Sequence, residues 1–269
     1  MKRLFVSLIL LIVAVPAWAE IDIQKVTSEK GITAWLVEEH SIPFTALELR
    51  FRGGTSLDEP GKRGATNLMA ALLEEGAGDL DALTDAVLAF MDSQDIEAAH
   101  LVGHSMGGAV SARLATTRPE RARSLTLIAS AGLGDDIDQG YIDGFVTAAS
   151  RRDLKPVLSK LFADQALVGR RLVDDLLKYK RLDGVDAALA KLRDGLFAGG
   201  RQKTPLAGAI AAADLPVLVI WGTEDRVIPA AHATAVPGAT VEVLPDAGHM
   251  VQMEAAARVN ELIRRHIGG

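Results

Sequence analysis

Three residues far apart in the chain have the types and settings needed to make an alcohol into a nucleophile: Ser105, Asp225 and His249. A serine hydroxyl attacks poorly until a base takes its proton and a strained turn holds it clear of its neighbours. Gly103-His104-Ser105-Met106-Gly107 has the Gly-x-Ser-x-Gly form of such a turn, in which small flanking residues permit a sharp passage from strand to helix. In a chain with 25 glycines, chance alone supplies about 0.1 copies of the motif, so its context carries the argument. An apolar strand leads in, a helix leads out, and Gly108 extends the tight packing. A turn of this kind calls for an acid and then a histidine downstream, each in a loop after a strand. Residues 215–221 run into Gly222-Thr223-Glu224-Asp225, and residues 240–244 lead to Asp246-Ala247-Gly248-His249. The imidazole would be the general base, and the carboxylate would hold its tautomer and stabilise its cation. Asp225 is assigned as the acid over Glu224 because its loop continues into Arg226-Val227-Ile228-Pro229. His100, in the strand before the motif, His104, at its variable position, and His40, His232 and His266, in polar stretches, read as structural; Asp246 reads as a loop residue.

The elements that would hold these residues alternate between strand and helix. Asp79 can cap a helix in which Leu80, Leu83, Val87 and Phe90 form one stripe. A buried strand over 98–103 follows, then a helix from Met106 that must stop before Pro119, then a strand over 124–129. This is the strand–helix–strand rhythm of a parallel sheet. Residues 132–213 are patterned as helices, with Leu172, Leu176 and Tyr179 on one face and Val185, Leu189, Leu192 and Leu196 on another. Strands return at 215–221 and 240–244, and Val259, Leu262 and Ile263 mark a last amphipathic helix. A helical insert thus interrupts an α/β core.

Upstream, 32–38 and 44–52 read as strands, the second alternating Thr45, Leu47, Leu49 and Phe51 against Glu48, Arg50 and Arg52. A short helix over 65–75 ends at Gly76, where the character of the chain changes. The first nineteen residues combine Lys2 and Arg3, a short apolar run over 4–15, and Ala17-Trp18-Ala19. That run is shorter than the roughly 18–20 residues that span a bilayer, so a cleaved export signal is expected, with no stable membrane anchor afterwards and a periplasmic destination. If the signal is not used, a cytoplasmic location is expected instead. Apolar residues at 49% and charged residues at 24% suit a chain that buries a core. The formal net charge of -6 argues against nucleic acid as a partner. No cysteine is present, which removes disulfides, thiolate metal sites and a cysteine nucleophile.

Residues 78–269 resemble the α/β-hydrolase family, and most closely the hydrolase domain at the C-terminal end of the dihydrolipoyl acetyltransferase subunit of acetoin dehydrogenase. HLVGHSMGGAV, SLTLIASAGLG, YIDGFVTAASRRDLKPVL, LVDDLLKYKRLDGVDAAL, VIWGTEDRVIPAAHA and DAGHMVQMEAAARVN carry the likeness. The resemblance implies that Ser105, Asp225 and His249 are nucleophile, acid and base, that the Met106 N–H is one oxyanion donor, and that 132–213 caps the pocket. It implies no cofactor. The family's upstream His-Gly loop, source of a second oxyanion donor, has no counterpart, and one such donor is worth on the order of 3–4 kcal/mol. The lipoyl domain and the first four strands of the usual eight are missing as well.

Residues 24–80 resemble instead the start of an exported zinc peptidase of the pitrilysin and processing-peptidase type. Its His-x-x-Glu-His would fall on Asn67, Ala70 and Ala71, which cannot bind zinc, so no metal is expected. The expected organisation is a signal over 1–19, a small peptidase-like α+β segment over 20–77, and an α/β-hydrolase-like parallel sheet with a helical cap over 78–269. The first function expected is a serine hydrolase of an ester, thioester or other small acyl substrate. A non-catalytic partner subunit pairing with another protein through its N-terminal strands is a second, and a fusion without settled activity a third.

Overall fold

The computed structural model describes residues 23–27, 33–37, 79–181 and 184–268. The chain divides into two units, Met1–Phe51 and Arg52–Gly269. In the first, strands β1 (Ile23–Thr27) and β2 (Thr33–Val37) form an antiparallel pair with Ile23 opposite Val37 and Thr27 opposite Thr33. The signal expected at 1–19, the strand at 44–52 and the helix at 65–75 lie outside the described residues.

The first described element of the second unit is helix α1 (Leu80–Ser93). The Asp79 carboxylate caps it, accepting the amides of Asp81 at 2.6 Å and Ala82 at 3.3 Å. Strand β3 (Ala99–His104), helix α2 (Met106–Thr117) and strand β4 (Ala122–Ile128) follow as one strand–helix–strand unit. Pro119 disfavours helical backbone at Arg118, which adopts φ −137° and ends α2. With β7 (Val217–Gly222) and β8 (Thr240–Leu244), these strands build a parallel four-stranded sheet in the order β3-β4-β7-β8. Alternation along the strands sorts their side chains into two layers. Leu125, Leu127, Val219 and Trp221 join a core with Leu83, Ala112 and Leu114 from α1 and α2. Ile128, Leu218, Ile220 and Leu244 face the other way, onto Val259 and Leu262 of the last helix, Ala256–Ile267.

The insert between β4 and β7 has a small core of its own. Leu154 and Leu158 of helix α4 (Arg151–Leu158), Val173 and Leu177 of helix α5 (Arg170–Lys180) and Phe162 between them cluster there, with Phe145 of helix α3 (Gln139–Thr147) packed against them. Helix α6 (Val185–Leu196) leads into a two-stranded hairpin, β5 (Phe197–Ala198) with β6 (Arg201–Gln202), so the insert is not wholly helical as its pattern suggests. The inward face of α5 takes in the expected Leu172 and Leu176, partly buried against this core, but not Tyr179. Val173, Leu177 and Lys180 are buried, whereas Tyr179 is exposed. Hydropathy ranks Tyr above Lys, but Lys180 buries its stem while Nζ donates to the carbonyls of Phe145 at 2.8 Å and Val146 at 3.1 Å. These are carbonyls in the last turn of α3, where helical partners are lacking.

Candidate active site

In a parallel sheet every strand ends on the same edge, and ligands gather where the loops leave the carboxyl ends. The register here brings those ends level: His104 pairs with Ile128, Ile128 with Ile220, and Gly222 with Leu244. The loops carrying Ser105, Asp225 and His249 therefore emerge side by side.

Ser105 occupies the turn between β3 and α2 at φ 53° and ψ −121°. A non-glycine residue held there costs on the order of 1–3 kcal/mol, which the surroundings must offset. They do so by backbone hydrogen bonds: Ser105 N donates to Ile128 O at 3.0 Å, and its carbonyl accepts the amides of Gly108 at 3.0 Å and Ala131 at 3.0 Å. The tightness of the turn rests on Gly103 and Gly108 rather than Gly107. A Cβ on Gly103 would collide with the backbone of Gly107 and Gly108, and one on Gly108 with the Ser130 side chain, whereas one on Gly107 meets nothing within 4 Å. Met106 begins α2, so its N–H belongs to the first turn, whose amides have no intrahelical acceptor. Met106 also lines a small, mostly apolar cleft bounded by Leu80, Ala109, Gly132, Phe197 and Thr204.

Asp225 and His249 meet in the interior. Their side chains are 0% and 2% exposed, and Nδ1 of His249 lies 2.8 Å from Oδ2 of Asp225. An ionised carboxylate can only accept, so Nδ1 carries the proton and Nε2 is left with a free lone pair. The other oxygen, Oδ1, accepts the amides of Val227 at 2.8 Å and Ile228 at 2.9 Å, which satisfies a charge that is costly to bury alone. Trp221 Nε1 donates to Ile228 O at 3.2 Å and ties the same loop to the core. Thr223 N and Glu224 N donate to Leu244 O and Ala247 O, both at 2.9 Å, stitching the acid loop to the base loop. Glu224 itself is exposed, as is Asp246, which turns the chain at φ 55°.

Among the described residues no hydrogen bond joins the Ser105 hydroxyl to His249; such bonds commonly tighten only when substrate is present. The link between the two is His104. Its ring centroid is 4.9 Å from that of His249, and its Nε2 lies 2.9 Å from the His249 carbonyl, to which it must donate. Burial, and then the neighbouring imidazole of His249, push the His104 pKa down to about 4, so it stands neutral. This contact was not legible in the sequence, where His104 reads as structural; a variable motif position carries no signal of a neighbour 145 residues on. The other described histidines lie apart. His100 bonds the Ser124 hydroxyl at 2.8 Å, and His232 packs edge-on to Trp221 at 6.5 Å. Among the described residues no group of three or more His, Cys, Asp or Glu side chains could hold a metal. No helix among them is long and apolar enough to cross a membrane.

Comparison with known proteins agrees with this architecture. The model of the alpha/beta hydrolase family matches residues 30–262 and so takes in most of the stretch expected to be peptidase-like, an expectation that no comparison supports. The dihydrolipoyllysine-residue acetyltransferase component of the acetoin cleaving system of Cupriavidus necator is 51% identical over 216 residues, covering 80% of this chain and 56% of that protein. The chain thus spans about half the length of the acetoin-system relatives it matches. The 2-hydroxy-6-oxo-6-phenylhexa-2,4-dienoate hydrolase of Burkholderia cepacia is 30% identical over 209 residues, 72% of this chain and 70% of that one. Among solved structures, the meta-cleavage product hydrolase of Pseudomonas fluorescens IP01 superposes with a TM-score of 0.63 at 24% identity, covering 71% of this chain and 72% of that one.

Proposed function

This chain belongs to the alpha/beta hydrolase family, and we propose that it is a serine hydrolase whose nucleophile, base and acid are Ser105, His249 and Asp225. One observation carries the reading: a fully buried carboxylate holds Nδ1 of His249, and the adjoining His104 contact sets that loop beside the strained Ser105 turn. With its Nδ1 proton engaged, His249 takes the Ser105 proton on Nε2 as the oxygen attacks an acyl carbonyl. The tetrahedral oxyanion is met by the Met106 N–H, the acyl-enzyme forms as the leaving group departs with the proton, and water activated by the same base releases the acid.

The uncharged cleft beside Met106 favours a small neutral acyl group, and an ester or thioester is the substrate class we infer. The kinship with acetoin-system components makes a protein partner from such a system a companion proposal. The test is a fluorophosphonate probe together with a panel of short p-nitrophenyl esters and 2-hydroxymuconate semialdehyde, the compound named for a 29% identical relative. Labelling of the protein and its loss in Ser105→Ala are expected; equal labelling of both would remove the proposal.

A further inference from the structure

One carboxylate that no step above uses joins the base loop to the cap. Glu254 ends the short helix Val251–Glu254 just after His249. Its Oε2 accepts the amide of Gly248 at 2.8 Å, while Oε1 accepts those of Ala163 at 2.8 Å and Asp164 at 3.1 Å. Gly248 immediately precedes His249, and Ala163 and Asp164 belong to the cap. The same two segments touch again through backbone: Met250 N donates to Leu161 O at 3.0 Å, and a Cβ on Gly248 would come within 2.8 Å of Ala163 N and 2.9 Å of Leu161 O. On the acid side, the Arg226 guanidinium donates to the carbonyls of Ser159 and Phe162. Residues 159–164 of the cap therefore take contacts from the loops of both Asp225 and His249.

We propose that Glu254 is a positioning residue, which locks the histidine loop to this cap segment and so sets where the His249 imidazole stands relative to Ser105. The side-chain type is dictated by what it meets. Three amide donors converge on it from two directions, and only a carboxylate presents acceptors on both oxygens. A glutamine would satisfy one side and turn its NH₂ against an N–H on the other. Losing either half leaves the loop bearing the base joined to the cap by the Met250–Leu161 backbone bond and loosens its position, and displacements of about 1 Å in a catalytic group cost on the order of a hundredfold.

The role rests on the serine-hydrolase reading, and the test separates the two. Wild type, Glu254→Gln, Glu254→Asp and Gly248→Ala are compared in hydrolysis of a short p-nitrophenyl ester, with active sites counted by fluorophosphonate labelling. Amide hydrogen exchange is followed at residues 163, 164 and 248. Glu254→Gln should lower kcat per labelled site by roughly ten- to a hundredfold with KM within about threefold, and quicken exchange at those amides. Glu254→Asp, which keeps two acceptor oxygens, should recover part of kcat. Gly248→Ala presses on the same junction without touching the carboxylate and should reproduce the loss, which keeps the test open if Glu254→Gln fails to fold. A wild-type protein labelled at Ser105 beside a Glu254→Gln protein of unchanged kcat overturns the positioning role alone, even if exchange quickens. A wild-type protein inert to the probe overturns the hydrolase reading, and the positioning role falls with it.

Discussion

Asp225→Asn exchanges one carboxylate oxygen for an amide nitrogen, and the structure dictates which. Oδ1 accepts two backbone amides, from Val227 and Ile228, so an NH₂ placed there would face two N–H groups. The asparagine oxygen must stay on that side, which turns the NH₂ toward Nδ1 of His249, 2.8 Å from the other position. Nδ1 then has to accept, the ring proton moves to Nε2, and no lone pair is left for the Ser105 proton. In serine peptidases built on the same three groups this change lowers kcat about 10⁴-fold. We expect a loss of roughly 10³- to 10⁴-fold here, or about 4–5.5 kcal/mol of transition-state stabilisation. The backbone acceptor contacts survive, so the thermal midpoint should move by no more than about 5 °C. Single-turnover acylation with a p-nitrophenyl ester and a melting curve measure the two quantities. A folded Asp225→Asn protein acylated within tenfold of wild type would refute the assigned acid and the tautomer argument with it.

Two further outcomes follow from the residues around the site. His104 has a folded pKa of about 4, below its ordinary 6.5, so below pH 6.5 the unfolded chain takes up a proton that the folded chain refuses. Its contribution is intact above pH 6.5 and is lost as pH falls toward 4, about 2–3 kcal/mol by pH 4.5. Denaturant unfolding at pH 7.5 and 4.5 should show that loss in wild type and a flatter response in His104→Gln; equal slopes would contradict it. In the nucleophile turn, Gly103→Ala should destabilise by about 1–3 kcal/mol because its Cβ meets backbone. Gly107→Ala should leave the melting temperature unchanged or slightly raised, since its Cβ meets open space and alanine is the better helix former. The reverse order of the two midpoints would refute the steric account.

The strand–helix order was legible because period-2 and period-3.6 burial are written along the chain. The strand expected at 240–244 is the one observed, and the helix from Met106 ends where Pro119 requires. Lys180 in place of Tyr179 on the inward side of α5 was not legible, because burial of a lysine depends on carbonyls that another helix exposes 34 and 35 residues away. The hairpin at Phe197–Gln202 escaped for a similar reason. Its two-residue strands are too short for a period, and Gln202 earns its inward place by accepting the Gly132 amide at 2.7 Å.

By itself the sequence determined which residue types stand after which strands: a serine in a glycine-flanked turn, then an acid, then a histidine, in loops that a parallel sheet must release on one edge. Local sterics and periodicity are properties of neighbouring residues, so they survive in a one-dimensional reading. Only the tertiary structure decided that the Asp225 carboxylate is buried 2.8 Å from Nδ1 of His249, that His104 touches the base loop, and that Glu254 binds that loop to the cap. Those contacts join residues up to 145 positions apart, and hydrogen bonds act only over a few ångströms, so their partners exist only once the sheet has brought the loops together.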